Sequence, residues 1–85
     1  MRTVHKFYLN GPVPGESTIT VPDNAKMLHA GIDEKGNPCV WVEVDTDAPS
    51  RDQRVLVYGM GQEIEEGLRY VDTYHQGYFV WHVYV

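Results

Sequence analysis

Apolar and polar residues alternate along much of this chain with a period of two, the period of a strand that buries one face. The clearest run is Cys39 to Asp45, where Val40, Val42 and Val44 point one way and Trp41, Glu43 and Asp45 the other. Ser17 to Val21 sets Ile19 and Val21 against Thr18 and Thr20. Arg2 to Leu9, Gln53 to Met60 and Leu68 to Tyr74 read as further strands. Asp23 or Asn24 offers a helix cap before Lys26 to Ile32. There, however, Leu28, Ala30 and Ile32 alternate with Met27, His29 and Gly31, and the run is too short for a stable helix. The pattern predicts a strand. Turn residues punctuate these runs at Asn10 to Gly15, Pro22-Asp23-Asn24, Asp33 to Pro38, Thr46 to Asp52 and Gly59-Met60-Gly61. Gln62 to Gly67 is acidic and is expected to make one helical turn.

The last stretch, Gly77 to Val85, breaks the alternation. Phe79, Trp81, Val83 and Val85 occupy one face, and Tyr78, Val80, His82 and Tyr84 the other. A strand with one solvated face should show polar residues there. This one is expected to be covered on both sides, by its own core and by something else. Together the runs predict an all-β fold: about seven short, mainly antiparallel strands in a small sandwich or a partly open barrel. Residues 1–85 form a single domain, without repeats and without the βαβ rhythm of a nucleotide-binding parallel sheet.

The final hairpin carries the candidate binding surface. With His75-Gln76-Gly77 as a three-residue loop ending in Gly, Tyr74 pairs with Tyr78, Asp72 with Val80 and Tyr70 with His82. Val71, Thr73, Phe79, Trp81 and Val83 then share a core face. Tyr70, Asp72, Tyr74, Tyr78 and His82 share the other, with Val80 and Tyr84. Tyrosines give large contact area with a polar tip. This face reads as a second core layer, a subunit interface or a partner site. Asp72 is expensive to bury alone and should meet water, His82, a hydroxyl or an Arg of a ligand.

Composition narrows the function classes. The chain is 42% hydrophobic with two Trp and six Tyr, which argues for a folded domain. Its net charge of −5 disfavours binding along a nucleic-acid phosphate backbone and suits a basic protein partner, or simply solubility. Cys39 is the lone cysteine, so no internal disulfide forms and a reducing compartment is expected. No apolar run approaches the ~20 residues of a membrane span, and the N-terminus lacks the apolar segment of a signal peptide. His5, His29, His75 and His82 lack the close spacing of metal ligands, and Cys39 has no base beside it in sequence. Gly59-Met60-Gly61 lacks the Lys-Ser/Thr of a phosphate loop. Glu63, Glu65 and Glu66 read as a solvated loop. The expectation is a non-enzyme with no cofactor and no metal.

Ala25 to Gly31, Pro38 to Asp45, Gly59-Met60-Gly61, Leu68 to Val71 and Phe79-Val80-Trp81-His82-Val83 together resemble a family of short uncharacterised bacteriophage and prophage proteins. The Phe-Val-Trp-His-Val ending is the most specific part. Met60 departs from the pattern, which has Thr there. The resemblance transfers no site residues, but it implies a protein working in the cytoplasm of an infected bacterium. On that setting the first reading is a non-enzymatic binding protein that occupies a host protein, a defence inhibitor being one form. The second is an oligomeric sponge for a small nucleotide signal, in which only Arg51, Arg54, Arg69 and a few Lys could meet phosphates. A structural or particle-associated role is the third. A homodimer or higher homo-oligomer is expected, because the last strand is apolar on both faces. Trp41, outward on an acidic strand face, is a second patch for another subunit to cover.

Overall fold

In a computed structural model describing residues 1–85, seven strands form two antiparallel sheets, with no helix and no closed barrel. The strands are β1 (Arg2–Tyr8), β2 (Gly15–Pro22), β3 (Lys26–Ile32), β4 (Pro38–Asp45), β5 (Ser50–Tyr58), β6 (Tyr70–Gln76) and β7 (Phe79–Tyr84). One sheet has the order β1-β4-β3 and the other β2-β5-β7-β6. The expected strands are all present. β5 starts earlier than its pattern implied, at Ser50. Residues 62–65 are irregular and residues 66–67 form a turn, in place of the expected helical turn: two glycines bracket too short a segment to repay helix nucleation.

The inner faces are built mainly from valine, whose branched side chain suits a pleated surface. Val40, Val42 and Val44 of β4 meet Val21, Val55, Val57 and Val83 of the other sheet, with Ile19, Ala30, Leu9, Tyr74 and Trp81 completing the cluster. Each fully buried valine contributes roughly 1.5–3 kcal/mol relative to exposure. The outward residues of β4 behave as its alternation predicts, except Cys39. It is fully buried, its thiol donating to the Asn37 carbonyl at 3.2 Å. Burial pushes that thiol's pKa up, so it packs as a small apolar residue.

Two charged clusters, one around Asp33 and one around Arg54, organise the loops and edges. Asp33 ends β3, and its Oδ1 accepts the Lys35 and Asn37 N–H groups at 3.0 and 2.9 Å while Oδ2 accepts Lys6 Nζ at 3.0 Å. The β3–β4 hairpin is thus folded around a buried charge with a partner on β1. On the other sheet Arg54 is held between Glu16 of β2 and Glu65 of the β5–β6 connection. The Glu65 N–H also donates to the Tyr58 hydroxyl at 3.2 Å. Residues 59–69 are thereby tied to the outer face on their way past β7 to the edge strand β6.

Candidate functional site

The β6–β7 hairpin turns through two residues, Gly77-Tyr78, and Gln76 faces Phe79. This corrects the three-residue loop expected from the sequence. Gly77 has φ +59°, which a type II′ turn requires of its first central residue. The register moves by an odd number, so the side chains change faces. Tyr74 lies opposite Trp81, Asp72 opposite Val83, and Thr73 opposite His82. Trp81 Nε1 donates to Gln76 Oε1 at 3.2 Å, fixing this register from within the hairpin.

The five candidate residues are therefore divided. Tyr74 is buried in the core, and its hydroxyl has no hydrogen-bond partner among the protein groups. Burial raises its phenol pKa. Tyr78 is fully exposed at the turn. Tyr70 and His82 are brought together on the outer face by Thr73: the Tyr70 hydroxyl lies 2.7 Å and His82 Nδ1 3.0 Å from Thr73 Oγ1. Edge-to-face rings continue that face, Tyr70 on Tyr84 at 5.6 Å and Tyr84 on Tyr58 at 5.8 Å. A bulge at Val71 returns Tyr70 to the face of Thr73 and His82.

Asp72 does not meet His82. It reaches the edge of β3, where Oδ2 accepts the Ala30 N–H at 3.1 Å and lies 2.5 Å from His29 Nδ1; Oδ1 accepts the Thr73 N–H at 2.8 Å. Burial pushes the Asp72 carboxyl up, but these donors outweigh it and hold the group below the usual carboxylate range. An ionised carboxylate only accepts, so His29 Nδ1 carries the proton. The His29 ring lies on Trp41, centroids 5.0 Å apart. Trp41 is thus partly covered by its own chain.

Beyond Trp81 the hairpin becomes an open apolar end. Phe79 stacks on Trp81 at 5.3 Å and 10° yet remains 62% exposed. Met60 is 92% exposed beside it. Val13, Pro14, Tyr78, Phe79 and Trp81 line an open hollow of about 620 Å³. Val13, Pro14 and Met60 escaped the sequence reading because they lie in turns distant in the chain.

A second concavity, of about 230 Å³, lies at the opposite end of β6 and β7. Its lining includes Lys26, Arg51, Gln53, Arg69 and Tyr70. The sequence does hold a signal for part of it. Arg51 and Gln53 have the parity of Val55 and Val57, so the inward face of β5 turns polar at its start. No group of three His, Cys, Asp or Glu residues is placed to hold a metal ion.

The whole chain, residues 1–85, matches the family described as Domain of unknown function (DUF7352), and the chain belongs to that family. No curated protein and no solved structure matches it.

Proposed function

We propose that this member of the DUF7352 family is a non-enzymatic binding protein that occupies a host protein through the apolar end of its β6–β7 hairpin. The supporting observation is the continuity of Tyr78, Phe79, Val80 and Met60, all exposed, around the hollow beside Trp81. Large exposed apolar patches on small soluble domains mark interaction sites, and Tyr, Phe and Met are residue types that interfaces favour. Net charge of −5 suits a partner whose apolar patch is rimmed by basic residues. The phage setting and the bacterial cytoplasm belong to this proposal and rest on the resemblance of the Phe-Val-Trp-His-Val ending and its companion segments.

In this reading Tyr78 is a direct contact. Tyr70 and His82 belong to the adjoining outer face, while Asp72 and Tyr74 support the hairpin from inside. Immobilised protein should retain one host protein stoichiometrically from bacterial lysate. The double variant Tyr78→Ala, Phe79→Ser should lose it while keeping the wild-type far-ultraviolet circular dichroism spectrum. Undiminished capture by the folded double variant defeats the assignment.

A further inference from the structure

We propose that the cleft lined by Lys26, Arg51 and Arg69 binds the phosphate of a small phosphate-bearing ligand. The site stands apart from the hairpin end and does not depend on it. The chain has seven Lys and Arg against twelve Asp and Glu. Most of these cations outside the cleft are engaged: Arg2 with Glu43, Lys6 with Asp33 and Glu34, and Arg54 with Glu16 and Glu65. Lys35 sits on the exposed β3–β4 hairpin. The remaining three converge on one concavity, and no carboxylate side chain is among its nine lining residues.

Two of the three, Lys26 and Arg69, make no ion pair, and the third, Arg51, has its partner outside the lining. Glu43, directly across the strand pair from Lys26, is taken by Arg2. Arg69 makes no ion pair, although its backbone is fixed by two hydrogen bonds exchanged with Val85 at 2.6 and 2.9 Å. Asp23 Oδ1 lies 3.4 Å from Arg51 Nε, outside the lining. Arg51 Nη1 donates to Gln53 Oε1 at 2.6 Å, and Gln53 Nε2 donates to the Arg54 carbonyl at 2.8 Å. A guanidinium steadied in this way is pre-organised for an anion.

Arg51 and Gln53 face between the sheets, directly across from Val21 and Ile19 of β2, both buried. An apolar pair there would extend the core. Polar groups stand in its place, and gathering three positive charges opposes folding by mutual repulsion. An anion relieves that repulsion. The volume suits a compact group such as a phosphate or phosphate ester, below the range of drug-sized sites.

The test is amide chemical-shift titration of the full chain at low salt with pyrophosphate, AMP and adenosine. Pyrophosphate and AMP should shift amides of residues 25–27, 51–53 and 69–71, and adenosine should not. Tighter binding of AMP would point to an organic phosphate, and tighter binding of pyrophosphate to an inorganic one. Lys26→Gln and Arg69→Gln should each weaken binding roughly tenfold or more, the scale of a lost charge-assisted contact. Lys35→Gln should leave the affinity unchanged. The proposal is overturned by an absence of shifts up to millimolar ligand, by equal shifts with adenosine, or by equal weakening in Lys35→Gln and Arg69→Gln.

Discussion

The carboxylate of Asp72 accepts the backbone N–H of Ala30 at 3.1 Å, so one side chain of β6 stands where a neighbouring strand would lie along β3. An edge strand presents donors that other chains can pair with. Here one donor is capped internally, and the capping group is held by His29 and by the N–H of Thr73.

Replacing Asp72 by Ala should destabilise the domain by about 1–3 kcal/mol, the cost of leaving shielded donors without an acceptor. Asp72→Asn keeps one acceptor oxygen and should lose less. Hydrogen exchange reports the contact directly. The Ala30 amide should exchange faster in Asp72→Ala, and a wild-type rate there would count against the cap.

Trp81→Ala should cost about 3–5 kcal/mol, because a large buried side chain leaves a cavity beside Tyr74 and Val83. That is a large share of the stability available to so small a domain. Phe79→Ala, on the same strand face but exposed, should lower the thermal midpoint far less. Equal losses in the two variants would contradict the boundary between core and open end.

Tyr74→Phe removes a buried hydroxyl that no protein group satisfies. Deleting such a group should leave stability unchanged or raise it. Chemical denaturation measures the difference, and a clear loss of stability would show that the hydroxyl is engaged.

Acid should loosen the β3–β4 hairpin through Asp33. Its carboxyl is drawn from 3.8 to about 2, chiefly by the Asn37 N–H, with Lys6 and the Lys35 N–H adding to it against burial. A depressed folded-state pKa contributes stability that is fully present above 3.8 and is lost as pH falls through about 2. Asp33→Asn should lower the thermal midpoint at neutral pH and flatten this acid limb. A variant with the wild-type acid limb would remove Asp33 from the explanation.

The open apolar end also bears on assembly. A two-fold dimer is the commonest closed arrangement and would cover Tyr78 and Phe79 with their own copies, in competition with the host-protein contact proposed for the same residues. Light scattering should then give about twice the chain mass of 9.7 kDa, and Tyr78→Ala, Phe79→Ser should reduce it to one chain mass. A wild-type mass of one chain would dismiss the dimer.

Much of the fold was legible because alternation is a local signal. Val40, Val42 and Val44 announce their face without reference to any other strand. The hairpin register was not, because Gly77 can close a three-residue loop or open a two-residue one. The choice is made by Trp81 reaching Tyr74 and Gln76. The partner of Asp72 was hidden for a different reason: β3 and β6 are far apart in the chain, and only the stacking of the sheets brings them together. Likewise Lys26, Arg51 and Arg69 carry no common spacing. Only the inward parity of Arg51 and Gln53 could be read beforehand.

The extra residue at Val71 acts as a phase offset within β6. Residues after it keep step with the core, whereas Tyr70 keeps step with the outer face, so Tyr70 and Asp72 address opposite sides despite being two apart. One strand thereby serves two sites whose orientations would otherwise be locked together. If Val71 were drawn into the ladder with no residue lost, the strand would survive as a strand but everything before it would invert, and Tyr70 would fall in step with Asp72 toward the sandwich interior. Deleting Val71 would instead straighten the strand and leave Tyr70 opposite Tyr84. The placement of the bulge, as much as the composition of the strand, therefore decides which way Tyr70 faces.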